Sequence, residues 1–359
     1  VIGAEVYKSS NGGKNWTKTH PGFIDDFFYS YGYYFSVLSV DPNDVNKIYL
    51  SGVPIIKSND GGKTFTSISE DNVHADHHVV WVNPNKSGHL INGNDGGLNI
   101  SYDDGAHWFK GNSHGVSQFY AVNVDEQEPY NIYGGMQDNG VWVGPSNYKF
   151  SSEWYQTGKY PYENLIGGDG MQIQIDKRNP NIVFTGFQFG NYYRIDRANN
   201  KRDYISPVQK KGEKPFRYNW QTPILLSSHN QEILYMGSNF LHRSMNQGQT
   251  WTAISPDLTQ GAKEGNVAFG TIAAISESPL QFGLLYTGSD DGLVHVSKDG
   301  GATWNIISGN LPQNRWISRV VASAHKKERV YVTLNGYRND DFTTYVYMSD
   351  DFGQTWINI

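Results

Sequence analysis

The 359-residue chain contains no cysteine. Neither a disulfide framework nor a thiolate metal site is therefore open to it. Charge is sparse: Asp, Glu, Lys and Arg make up 18% of residues, with a formal net charge of −6. That balance argues against nucleic acid or an anionic membrane surface as partner. No apolar run approaches the length of a membrane span, so no bilayer insertion is expected. A sustained apolar stripe of helical period is also missing. No signal peptide is visible, because Val1-Ile2-Gly3-Ala4-Glu5-Val6-Tyr7-Lys8 already reads as a strand. The expectation is a fragment of something longer.

What the chain has in abundance is glycine (39) and aromatic residues (24 Tyr, 17 Phe and 10 Trp). That mix suits many short strands joined by tight turns, hence an all-β fold. A short phrase, Ser-x-Asp-x-Gly-x-x-aromatic, recurs six times. It runs over Ser9–Trp16, Ser58–Phe65, Ser101–Trp108, Ser244–Trp251, Ser297–Trp304 and Ser349–Trp356, with Asn11 and Asn246 replacing the Asp in two copies. Successive copies start 49, 43, 143, 53 and 52 residues apart, so the long gap holds two further units without the phrase. A fixed period of this length points to a propeller or solenoid array. In each copy the Asp is expected to bond backbone N–H groups and close a turn. The Gly supplies positive φ, and the aromatic ring tucks between neighbouring sheets. These Asp residues read as turn staples, not catalysts or calcium ligands.

Aligned on the phrase, each unit reads as four antiparallel strands. A half unit covers 1–20, and complete units fall near 35–66, 77–109, 119–146, 169–197, 222–252, 270–305 and 317–359. The expected architecture is a β-propeller of four-stranded antiparallel blades. Seven blades are favoured, closed by the half unit's strands, with eight as the alternative. Alternating strand direction puts the turns between second and third strands on one side, together with the connections from one unit to the next. The stretches 17–34, 109–118, 146–168, 197–221 and 252–269 are read as such connections. Function is expected on that side.

The candidate residues all map there. His74, Asp76 and His78 are expected to share one side of an extended chain, with His77 pointing away. Asp95, Asp138 and Asp290 lie in Gly-flanked turns, and Asp169 sits between Gly168 and Gly170, which would allow close approach of a ligand. Asp76, Asp169, Asp95 and Asp138 are the candidate catalytic carboxylates. His74, His78, Asp290, Trp154, Tyr155, Phe187 and Trp220 are the candidate ligand-binding residues, the aromatics serving as planes for sugar rings or a peptide. His74, Asp76 and His78 form a minimal set for a metal, but spacing along one strand spreads ligands, so no metal or cofactor is expected.

The six phrases resemble the Asp-box, or BNR, repeat, and that resemblance extends over the whole chain. Sialidases, xyloglucanase-type glycoside hydrolases and sortilin-type receptors use such propellers. The sialidase pattern is not met, since Phe216-Arg217 continues into Tyr218-Asn219. His74–His78, Gly93–Gly97, Gly135–Gly140 and Gly167–Gly170 make the chain similar to large secreted bacterial proteins labelled sortilin-like or glycosyl-hydrolase-like. The resemblance implies a secreted or cell-surface bacterial protein that binds a glycan or polypeptide ligand, alongside further domains or a larger surface assembly. The alternatives are a xyloglucanase-type hydrolase using an Asp/Asp acid–base pair and a sortilin-like peptide receptor or scaffold.

Overall fold

The computed structural model describes residues 3–69, 73–111, 116–149, 151–152, 161–265 and 267–359. Among them the fold is all-β, and Tyr337–Asn339 forms a short 3-10 turn. The chain divides into two compact units, Val1–Ser117 and Gln118–Ile359. Unit one holds a two-stranded sheet and the four-stranded sheets 37–67 and 77–111. Unit two holds five four-stranded sheets: 119–166, 174–204, 224–253, 272–306 and 316–358. Every pairing is antiparallel between strands consecutive in sequence.

Among the described residues there are eight sheets, seven of four strands and one of two, and the expected seven blades are not supported. The reason is local. Tyr7–Lys8 pairs with Thr17–Lys18 in a sheet of its own, while the sheet beginning at Trp316–Ala322 has its own fourth strand, Ile357–Asn358. A second correction concerns the units without the phrase. The strand Gly140–Pro145 is followed by a long excursion before its partner, Glu163–Ile166. Asn191–Asp196 is likewise followed by Lys201–Tyr204. These units thus reach 166 and 204, past the expected 146 and 197. Residues 146–162 join the third and fourth strands of one sheet and do not lead to the next. Ser146 N–H donates to the Tyr130 carbonyl (2.9 Å), at the end opposite the expected functional side. Trp154, Tyr155 and Tyr160 belong to this excursion and lie outside the described residues.

The core lies between consecutive sheets. Tyr286, Val294 and Val296 of one sheet pack with Ile317, Val320, Val330 and Val332 of the next. Because inner strands are covered on both faces, Leu285–Ser289 and Val294–Ser297 are buried without alternation. Each fully buried side chain of this size stabilises by about 1.5–3 kcal/mol.

The recurring turn supplies the second element of cohesion. In the copy at Ser58, Asp60 Oδ1 accepts from the Lys63 and Thr64 N–H groups (both 2.9 Å), and Ser58 Oγ accepts from Gly62 N–H (2.9 Å). The ring then reaches the preceding sheet. Trp108 Nε1 donates to Ile68 O (2.7 Å), Trp251 to Ile205 O (2.5 Å), Trp304 to Ile254 O (2.9 Å) and Trp356 to Ile307 O (2.7 Å). The glycine has a role beyond its φ. A Cβ on Gly105, Gly248, Gly301 or Gly353 would fall 2.4–2.8 Å from an atom of that same isoleucine. One Gly, one Trp and one Ile therefore staple each such pair of sheets.

Candidate functional site

In three sheets the turn between second and third strands is tied to the residue that precedes the first strand. Asp95 N–H donates to Asp76 O (3.3 Å) in unit one. Gln137 N–H donates to Gln118 O (2.9 Å), and Asp290 N–H to Thr271 O (3.0 Å), in unit two. The recurring Ser-x-Asp turn lies at the other end, for example with Gly300 N–H on Gly283 O (2.9 Å). Within each unit Asp76, Asp95, Asp138 and Asp290 therefore lie at one end of their sheets.

In unit one His78 Nε2 donates to Asp95 Oδ1 at 2.7 Å, both side chains being partly exposed. The imidazole packs against Tyr34 and Phe35, with ring centroids 5.3 and 5.6 Å away. His74 lies over Gly96, where a Cβ would come 2.4 Å from the His74 Cβ. The motifs His74–His78 and Gly93–Gly97 are thus two halves of one contact. The expected alternation fails, however. Asp76 is left-handed (φ 64°), the strand starts only at His77, and its register shifts between His77 and Val79. The period-two pattern is thus broken at Asp76, although His74 and His78 both meet the turn at Asp95 and Gly96. Among the described residues no group of three or more His, Asp or Glu side chains is placed to hold a metal ion. His77 turns inward and is fully buried, with Nδ1 2.9 Å from Asn92 Oδ1 in a network with Asn94 and Asn99. Burial lowers its pKa to about 4.

In unit two Gly135–Gly140 and Gly167–Gly170 likewise interlock. Gly140 N–H donates to Gly168 O (2.8 Å), Gly170 N–H to Met136 O (2.9 Å), and Asp138 N–H to Asp169 Oδ1 (2.7 Å). A Cβ on Gly140 would sit 2.2 Å from Ile166 O, and one on Gly170 2.2 Å from Gly140 O. Gly170 thus admits a neighbouring backbone, where the sequence had suggested close approach of a ligand. Asp169 is only 4% exposed. Its N–H donates to Gln188 Oε1 (3.1 Å), and its Oδ1 is held by Asp138. Among the described residues Asp169 Oδ2 accepts no hydrogen bond.

Around this carboxylate stand aromatic and amide groups. Tyr120 Oη donates to Gln137 Oε1 (3.1 Å) and accepts from Trp220 Nε1 (3.1 Å). Burial raises the Tyr120 pKa against the opposing effect of the indole bond, and the charges of Asp169 and Asp138 raise it further. Phe189 N–H donates to Trp220 O (3.2 Å), and the two rings meet edge to face at 5.1 Å. Phe189 is left-handed (φ 60°), uncommon for so bulky a residue, and sits 45% exposed beside Trp220 at 37%. Phe187 packs on Tyr193 (6.1 Å) and beneath Gly168. Tyr120 and Gln188 were not singled out from the sequence. Nothing distinguishes Tyr120 among 24 tyrosines, although Gln188 could have been found by aligning its turn with Gln137.

Asp290 is placed differently. It is 5% exposed and its carboxylate accepts from Thr271 N–H (2.9 Å), Thr271 Oγ1 (2.7 Å) and Asn219 Nδ2 (2.8 Å). Burial raises its pKa, and the neighbouring Asp291 adds to that. At the opposite end of the sheets, a cavity of about 140 Å³ is lined by residues including Asp125, Gln174, Asp176 and Gln231. Its buried carboxylates are engaged, Asp125 by Asn131 and Tyr133, Asp176 by Arg178 and Gln247.

No family model matches the chain, and no curated protein does. Among solved structures it is similar to the GH74 enzyme of Niastella koreensis, at 14% identity and a TM-score of 0.28 over 99% of this chain and 61% of that one. An ancestral GH74 enzyme matches at 16% identity and a TM-score of 0.37, over 90% of this chain and 38% of that one. The GH74 xyloglucanase of Xanthomonas campestris matches at 14% and 0.35, over 99% and 64%. The chain therefore spans less than two thirds of the length of each of these enzymes.

Proposed function

We propose that unit two binds a carbohydrate chain at the Asp169–Trp220 cluster. The observation that carries this reading is the state of Asp169. Its side chain is buried and fixed by one oxygen, while the other takes no hydrogen bond among the described residues. A carboxylate oxygen held in this way suits a pair of sugar hydroxyls. The Gln188 amide, whose oxygen is engaged, keeps its NH₂ as donor. Trp220 and Phe189 supply partly exposed ring faces for the apolar side of a pyranose. Few groups need ordering on binding, which favours affinity.

The recurring turn, taken as an Asp-box, and the likeness to secreted bacterial proteins support a secreted or cell-surface setting. Isothermal titration against xyloglucan, mixed-linkage glucan, galactomannan and chitin oligosaccharides tests the reading. At least one should bind, and Asp169→Asn or Trp220→Ala should each weaken it about tenfold or more. Silence across that panel, or affinity indifferent to both substitutions, removes the proposal.

One observation favours glycoside hydrolysis as the second reading. The Asp138 backbone N–H bonds the Asp169 carboxylate, and the charges of both side chains reach Tyr120. In such a site one carboxyl donates a proton to the leaving oxygen while the other activates water or attacks the sugar. Reducing-sugar release from the same polysaccharides, abolished by Asp169→Asn and by Asp138→Asn, would select it. Binding without release selects the first reading.

A further inference from the structure

We infer that Asp290, with Asn219, is a positioning residue for Trp220, the indole wall of the proposed carbohydrate site. The inference rests on that reading for its functional meaning, but its geometry stands alone. Asn219 is 6% exposed and uses both ends of its amide. Its Nδ2 donates to Asp290 Oδ2 (2.8 Å) and Thr271 Oγ1 (3.0 Å), while its Oδ1 accepts the Trp220 N–H at 2.8 Å. The Asn219 carbonyl accepts Thr222 Oγ1 (3.0 Å), which fixes the peptide on the other side. Asp290 is itself held by both donors of Thr271.

A hydrogen-bonded chain thus runs from Thr271 through Asp290 and Asn219 to the Trp220 backbone. From the Trp220 indole it continues to Tyr120 Oη and Gln137. An asparagine amide bonded at both ends cannot rotate without breaking a bond, because its oxygen cannot donate and its nitrogen cannot accept. Asp290 Oδ2, as acceptor, fixes the Asn219 NH₂ inward, and so presents the Asn219 oxygen to Trp220. The Trp220 backbone is thereby held at its N–H by Asn219 and at its carbonyl by Phe189 (3.2 Å). Asp291 offers an internal comparison. It is equally buried (3%), but its side chain serves Gln260 N–H (2.6 Å) and Ser289 Oγ (2.5 Å), with no link to Asn219.

The test labels the ten tryptophans of the full chain with 5-fluorotryptophan and reads fluorine NMR, the Trp220 signal being assigned by Trp220→Phe. Asp290→Asn should shift or broaden the Trp220 resonance and leave those of Trp251, Trp304 and Trp356 in place. It should also weaken xyloglucan binding about five- to tenfold, and add nothing once Trp220 is already alanine. Asp291→Asn should lower the melting temperature without moving the Trp220 signal. If Asp290→Asn does not fold, Asn219→Ala carries the same readouts with the carboxylate retained. An unmoved Trp220 resonance in the folded variant overturns the inference, as does an equal movement in Asp291→Asn. If wild type binds no xyloglucan, only the choice of ligand is lost, and the resonance still decides the positioning role.

Discussion

At Asp290 a buried carboxylate meets three donors: the Thr271 N–H, the Thr271 hydroxyl and the Asn219 amide. At Asp169, equally buried and also beside a turn between second and third strands, one oxygen meets the Asp138 N–H and the other takes nothing among the described residues. Asp290 sits in a turn between second and third strands and Asp169 ahead of a first strand, against such a turn, and the two differ in how many of their acceptor sites the protein itself consumes. A saturated carboxylate fixes structure, since any ligand would have to displace internal donors. One with a spare lone pair on a rigid backbone is disposed to meet something from outside. The number of internal donors, and not burial, separates the two.

The largest effect that can break this comparison is on stability. Asp290→Ala leaves three buried donors without their acceptor, each costing about 1–3 kcal/mol. The expected loss in urea unfolding is about 3–5 kcal/mol. Asp169→Ala strands only the Asp138 N–H and should cost about 1 kcal/mol. Equal losses at the two positions would show that both carboxylates are structural.

The glycines around Asp169 give a finer cut. Gly140 is left-handed (φ 73°) and a Cβ there would lie 2.2 Å from the Ile166 carbonyl, an atom of the backbone that cannot swing aside. Gly140→Ala should therefore cost about 3 kcal/mol. Gly167 has nothing within 4 Å of its would-be Cβ, so Gly167→Ala should stay within about 0.5 kcal/mol. Thermal melts of the two variants check the pair. If Gly167→Ala also unfolds the protein, the interlock extends further than these contacts indicate.

Much of the frame was legible because the repeated phrase carries its own physics. Ser58, Asp60 and Gly62 bond one another within five residues, so local sequence suffices to find the turn. Strand alternation then assigns the ends of each sheet. Where no phrase exists, the argument had nothing to hold. Glu163–Ile166 pairs with a strand that ends at Pro145, and no residue between them marks the return. The His74–His78 reading failed for a similar reason, because the left-handed Asp76 interrupts the alternation before the strand begins. Long-range partners were beyond reach altogether. Tyr120 and Trp220 are 100 residues apart and meet through a single indole hydrogen bond.

The smallest expected effect concerns acid. Asp290 has its pKa raised, chiefly by burial. Asp351, in the last repeated turn, is lowered to about 2 by the Thr355 hydroxyl and N–H and by Ser349. The signs oppose. A raised folded pKa means the native state holds the proton more firmly, so the contribution of Asp290 is complete below the ordinary carboxylate range and declines as pH rises through the folded value. A lowered folded pKa means the contribution of Asp351 is present above about 3.8 and fades toward 2. In urea titrations the advantage of wild type over Asp290→Asn should therefore narrow as pH climbs from 4 to 7. Its advantage over Asp351→Asn should hold level across that window and shrink only in stronger acid. Were the Asp290 difference to widen with pH instead, its three donors would outweigh burial. The carboxylate would then be a stabilised anion, and the contrast with Asp169 would rest on donor number alone.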